Sequence, residues 1–313
     1  MGNRSTKPPS QQAATNSASL QDMKILLTGA TGYVGAQLLP ALEAAGHDVR
    51  CLARTPEALA STGVEVVKGD VLSGEGLDEA LAGIEVAYYL IHAMTGGGDF
   101  AERDRRGATN FVAAAKRQGV RRVIYLGGLG PDDGNGSEHL LSRHETAVIL
   151  RDAAPEFVYA RAAIVVGAGS ASLIMLRHLV ERLPAMICPK WIDVHTQPIA
   201  MPDLVGALAH CAEVEGLNGE VQLGGADVVT YREMMLSLAR ALNRRKPFVI
   251  RVPVLSPRLS SHWVGFVTAV DSGIARPLID GLKAETVVTT PPPAGINDSP
   301  MGLEEAMREA VRN

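Results

Sequence analysis

Lys24-Ile-Leu-Leu-Thr-Gly29-Ala-Thr-Gly32-Tyr-Val-Gly35 is the stretch that decides the fold. A continuous apolar run, Ile25 to Leu27, ends in Thr28 and a turn with glycine at every third position. Such a run reads as a parallel strand buried on both faces. Directly after it, Tyr33 to Ala45 carries apolar residues at helical spacing and closes at Gly46. Strand, glycine turn and helix, in that order, form the junction at which a dinucleotide pyrophosphate is held. Glycine permits the tight turn and a close backbone approach, and the helix amino end offers N–H groups to the phosphates. On this reading Thr28, Gly29, Thr31, Gly32, Tyr33, Val34 and Gly35 are the phosphate-side residues.

The same rhythm continues downstream. Strands at 48–53, 64–68, 85–91, 121–126 and within 157–166 alternate with helices at 77–82, 99–118 and 138–152. Short connections between alternating strands and helices predict a Rossmann-type α/β fold, a doubly wound parallel sheet. Past Gly167 the alternation breaks into helices near 171–182, 202–213, 231–243 and 303–312, separated by proline-rich segments. The expected organisation is a disordered tail over 1–22, a dinucleotide-binding domain over 23–167 and a smaller C-terminal cap, mainly 168–313, for substrate. Within the last part, 218–230 is expected to return to the sheet, led by a strand at 220–223.

Bulk properties narrow the function. A formal charge of −4 over 313 residues gives no reason to expect nucleic acid as a partner. Cys51, Cys188 and Cys211 are far apart and form no CxxC pair, which argues against disulfides or zinc and for a cytoplasmic protein. The N-terminal residues are polar, without a signal-type apolar core. No run approaches the roughly 20 apolar residues of a membrane span. The apolar segment 259–270 is too short to cross and reads as buried, or as a contact with a membrane or partner. The expected partner is a small apolar substrate, drawn to a cap rich in Met175, Trp191, Trp263 and Phe266. Oligomeric state stays open, a homo-oligomer included.

The end of the second strand speaks to cofactor choice. An NAD site commonly places Asp or Glu there, for the ribose 2′-OH. Leu52-Ala53-Arg54 has no acid, and a guanidinium can pair with a 2′-phosphate, so NADP(H) is predicted. Tyr89 and His92, at the end of the fourth strand, lie on the ligand side of such a sheet and could donate a proton or line the pocket. The charge run Glu102–Arg106 reads as a solvated helix face.

Several further motifs converge on one family. The G-x-x-G-x-x-G spacing, Gly69-Asp70-Val71 after the third strand, Gly107-Ala-Thr-Asn110, Arg161-Ala-Ala-Ile-Val-Val-Gly167 and Pro198-Ile-Ala-Met-Pro-Asp203 resemble the extended and atypical short-chain dehydrogenases/reductases. Ala87–Met94, Gly98–Arg105, Tyr125–Pro131 and Ser142-Arg-His-Glu145 are similar to their YbjT-like, NmrA-related bacterial group. The resemblance implies that Asp70 and the Val71 backbone contact adenine. It also implies a Ser, Tyr and Lys constellation, from which this chain departs. Gly127 and Gly128 stand where serine is expected, and His139-Leu-Leu-Ser-Arg143 keeps only the tyrosine–lysine spacing. His139 as proton donor with Arg143 as ribose anchor is a coherent replacement. An ordinary helix with a polar face is equally coherent. The expected function is an NADP(H)-dependent reductase of an apolar carbonyl, quinone or enone, because the ligand edge keeps groups able to donate protons; the alternatives are a non-catalytic NADP(H)-binding redox sensor and a redox-neutral epimerase or dehydratase.

Overall fold

A computed structural model describes residues 22–92, 100–130, 138–183, 185–188, 190–251 and 284–312. The expected tail before residue 22, the 259–270 segment with Trp263 and Phe266, and the side chain of His139 lie outside the described residues.

The first half alternates as the periodicity requires: β1 (Lys24–Thr28), α1 (Gly35–Ala44), β2 (Asp48–Ala53), β3 (Glu65–Lys68), α2 (Leu77–Leu81), β4 (Val86–Tyr89), α3 (Phe100–Gln118), β5 (Arg122–Gly128), α4 (Glu138–Leu150) and β6 (Glu156–Ala162). The second half adds β7 (Val165–Val166), α5 (Ala171–Arg182), β8 (Ala185–Cys188), β9 (His195–Thr196), β10 (Ile199–Ala200), α6 (Met201–Glu213), β11 (Gly219–Leu223), β12 (Val229–Thr230), α7 (Tyr231–Ala241), β13 (Phe248–Arg251) and α8 (Leu303–Arg312).

Seven strands form one parallel sheet in the order β3-β2-β1-β4-β5-β6-β11. Successive side chains of a strand face opposite ways, and both faces are covered. Ile25, Leu27, Cys51, Tyr88, Ile124 and Val158 pack towards α1 and α6. Leu26, Leu52, Tyr89, Val123, Tyr125 and Tyr159 pack towards α2, α3 and α4. A third apolar cluster joins α5, α7 and α8 around Tyr231, Met234 and Met307. Strand order reverses direction at β1 and β4, so a crevice opens beyond their carboxyl ends. No helix of the described residues is long and apolar enough to cross a membrane.

The short strand pairs β7–β10, β9–β12 and β8–β13 are absent from the sequence reading. Four of these six strands, β7, β9, β10 and β12, have two residues each, too few for an alternation to register. Met175 belongs to the packed interior of the cap, and Trp191 lies edge-on against Tyr231. Neither supplies a free apolar wall of the kind expected from the sequence.

Arg122 joins two layers. It is fully buried at the start of β5, and its Nη1 donates to the carbonyls of Cys211 and Ala212, each at 2.8 Å. These are orphan carbonyls at the carboxyl end of α6, where a positive charge is favoured. Its Nε donates to Glu156 Oε2 at 2.8 Å. Arg122→Ala leaves both buried carbonyls without their donor, while Glu156 keeps Arg121 at 2.6 Å, so urea denaturation should show a loss of about 3 kcal/mol.

Candidate active site

The glycine turn sits in the switch-point crevice. Gly32 N–H donates to Gly29 O at 2.9 Å, and Ala36 N–H to Gly32 O at 2.9 Å, which folds the chain straight from β1 into α1. Gly29 has φ of +74°, and a Cβ there would lie 2.9 Å from Leu90 O. A Cβ on Gly35 would lie 2.2 Å from Gly29 O, so only hydrogen fits. The amino end of α1 is thereby brought onto the end of β1, the geometry a pyrophosphate needs. Thr31 and Gly32 are exposed at the tip.

Two assigned residues have other duties. Thr28 is fully buried; its hydroxyl donates to Tyr88 O at 2.8 Å and accepts from Leu90 N at 3.2 Å. Its side chain therefore fixes β1 to β4 and does not reach a phosphate. Tyr33 packs over the loop after β7, where a Cβ on Gly167 would meet its hydroxyl at 2.4 Å. Half-buried Val34 packs against the α1 side of the core.

Further along the carboxyl edge, Arg54 is exposed just after β2 and has no acidic partner among the described residues. Asp70 follows β3 in a tight loop, its Oδ1 accepting from Leu72 N–H at 2.9 Å. From α3, Asn110 Nδ2 donates to Val71 O at 2.8 Å and Leu72 O at 3.1 Å. Val71 turns its side chain into the core, which leaves its main chain as what it could offer an adenine.

The chemistry-bearing groups fall differently from the sequence reading. Tyr89 is 1% exposed, its ring edge-on to Phe111 at 5.0 Å, and a Cβ on Gly107 would touch its hydroxyl. It is part of the packed layer under α3, and burial raises its pKa far above the ordinary phenol value. The β4 register explains this: Tyr89, Tyr125 and Tyr159 are neighbours across three strands on one face. His92, beyond the strand, stands at the edge with its side chain 11% exposed. Its Nδ1 lies 3.0 Å from Asp104 Oδ2, and Ser142 Oγ donates to the same oxygen at 3.3 Å. Arg143 follows Ser142 on α4, half-buried. Burial, and next the Arg143 charge, hold the His92 pKa below the usual 6.5, against the opposing pull of Asp104.

Asp104 corrects the reading of 102–106 as wholly solvated. Glu102 and Arg105 are exposed and paired with each other, whereas Asp104 is 6% exposed. The signal was present: 104, 107, 108 and 111 share one helical stripe with the buried Gly107, Ala108 and Phe111. It meets residues 92 and 142, an encounter only the tertiary fold arranges.

The missing serine also has a steric account. A Cβ on Gly127 would lie 2.5 Å from the Tyr159 ring, and one on Gly128 would lie 2.7 Å from Leu140 Cδ2. Leu140 likewise presses on Gly130. The glycines let α4 and Tyr159 close over the end of β5. Arg161 secures that loop by donating to Gly128 O and Gly130 O. Among the described residues no group of His, Cys, Asp and Glu could hold a metal ion.

Comparison with known proteins agrees with this frame. Residues 29–163 match a family of NAD(P)H-binding domains. Over 231 residues the chain is 30% identical to a (4-alkanoyl-5-oxo-2,5-dihydrofuran-3-yl)methyl phosphate reductase of Streptomyces griseus, covering 70% of this chain and 74% of that protein. The chain belongs to the NAD(P)H-binding, atypical short-chain dehydrogenase/reductase family. It is 34% identical to a 3-beta-hydroxysteroid dehydrogenase of Mycolicibacterium neoaurum over 133 residues, only 37% of this chain and 36% of that one. The match therefore spans about a third of that longer relative. An NADPH-dependent quinone oxidoreductase from Escherichia coli, complexed with NADPH, shares the fold at a TM-score of 0.74. That structural match has 21% identity and covers 92% of this chain and 100% of that one.

Within this family frame the glycine turn is open to a direct test. Gly35→Ala forces Gly29 O away from the helix, and NAD(P)H affinity, read by nicotinamide fluorescence, should fall at least about tenfold.

Proposed function

We propose that this protein is an NADP(H)-dependent reductase of an apolar carbonyl, quinone or enone, in which His92 exchanges the proton with substrate. The observation that carries the proposal is His92 itself: an imidazole anchored by a buried carboxylate at the switch-point edge, beside Leu90, on which Gly29 closes. The phosphate turn, exposed Arg54 for a 2′-phosphate, and the Asp70–Val71 loop for adenine would hold the cofactor. Bound there, NADPH supplies hydride. Arg143 provides fixed positive charge beside the imidazole and is suited to ribose hydroxyls. His139 lies one helical turn before Arg143 and is retained as a second candidate donor.

The pKa direction gives a sign. With its pKa below 6.5, His92 is mostly neutral at pH 7. Proton donation in reduction therefore strengthens as pH falls through that pKa, and the reverse oxidation, which needs the neutral ring, weakens there. NADPH consumption with menadione, an alkyl aldehyde and an alkyl enone, measured from about pH 5 to pH 8, should show this acid-side rise. His92→Gln should lower turnover about 100-fold and abolish the rise, with NADPH affinity retained. Unchanged turnover in His92→Gln removes His92 from the mechanism, and His139→Ala then tests the other donor.

Cofactor preference is separately measurable. Arg54→Ala should weaken NADPH binding about tenfold and leave NADH binding nearly unchanged. Equal loss for both would sink the 2′-phosphate assignment. The crowding of Gly127 against the Tyr159 ring, which leaves no room for the family serine there, favours a second reading as a redox sensor. Tight NADPH binding with no consumption on any of the three probes would select it.

A further inference from the structure

We propose that Asp104 is the positioning residue of this site, a buried carboxylate on α3 that fixes the tautomer of His92 and locks α4 against the end of β4. The inference rests on the role given to His92 above, but its geometry stands independently. A carboxylate buried among Tyr89, Gly107 and Ala108 remains charged only where donors surround it. Two donors among the described residues converge on one oxygen: His92 Nδ1 at 3.0 Å and Ser142 Oγ at 3.3 Å. An ionised carboxylate only accepts, so the proton between the two groups sits on Nδ1, and Nε2 is the atom assigned to proton exchange. The three side chains come from the loop after β4, the second turn of α3 and the first half of α4. One oxygen thus sets the ring orientation of His92 and the height of α4, which carries Arg143 and His139.

The surrounding charges are consistent with this role. Arg143 from α4 opposes the imidazolium and Asp104 from α3 supports it. The phenols of Tyr89 on β4 and Tyr125 on β5, both coupled to Asp104, are kept neutral by burial. With NADPH bound as the hydride source for the substrate carbon, Nε2 of the imidazolium would give its proton to the substrate oxygen. The neutral ring then regains a proton from water. Asp104 stays ionised throughout and stabilises the charged ring, as carboxylates paired with imidazoles do.

The test reads the ring directly, without cofactor. Long-range 1H–15N NMR of the full-length chain, with His92 assigned through His92→Gln, should show the neutral ring protonated on Nδ1. In Asp104→Asn the titration midpoint should drop by about one pH unit or more, because a negative charge 3.0 Å away is gone and Arg143 remains. The acid-side rise in menadione reduction should move with it, while Asp104→Glu restores part of the shift. A folded Asp104→Asn protein with unchanged midpoint and tautomer overturns the assignment. Where that variant does not fold, the wild-type spectrum decides: a neutral His92 protonated on Nε2 refutes it. Failure of the proton-donor reading looks different, since His92→Gln would then keep its turnover while the Asp104 effect on the ring persisted.

Discussion

The absence of a side chain at Gly35 is the constraint on which the rest of the molecule turns. The Gly29 carbonyl occupies the place where a Cβ would stand, so α1 begins directly at the end of β1. That contact brings a helix amino end into the crevice between β1 and β4, where strand order reverses. Thr28 reinforces it from below by bonding to the β4 backbone on both sides of Tyr89. Tyr33 reinforces it from above by resting on the Gly167 loop. The glycine turn is consequently held by three elements distant in sequence.

Burial on both faces dictates how the chemistry is distributed. Strands β1, β4 and β5 have no solvated side, so polar groups within them must find internal partners or be lifted out of titration range. Tyr88 meets this demand by donating to Leu208 O at 2.7 Å. Tyr89 and Tyr125 stack into the layer under α3 and α4 and stay neutral. Only residues past the strand ends escape the two layers, and His92 is one of them. Its carboxylate partner, Asp104, reaches it from a helix. The same logic accounts for Gly127 and Gly128: a polar side chain there would compete with Tyr159 and Leu140 for one space.

Much of this was legible before any coordinates. The seven parallel strands lie within a few residues of where apolar runs and turns place them, and α5 and α8 begin and end at their expected residues. Patterns of that kind survive because burial selects apolar residues at fixed periods. Glycine spacing carried the phosphate turn for a related reason: a steric prohibition leaves a single residue type available. Tyr89 was misplaced because residues on the two faces of a fully buried strand look alike in sequence. Asp104 was missed because charges on either side of it are solvated, which masked its position on the buried stripe.

By itself, then, the sequence determined the sheet, its order of alternation, the glycine turn and the family to which the chain belongs. The sheet and the turn follow from periodicity and from steric limits acting between residues near one another in the chain, whereas the family was read from a resemblance of motifs. Tertiary structure alone decided which titratable groups share a site. His92, Asp104 and Ser142 are brought to one carboxylate oxygen by the packing of two helices against a strand end, and no local pattern encodes that distance. Hydrogen bonds between remote residues have no period, so their partners appear only once the layers are assembled.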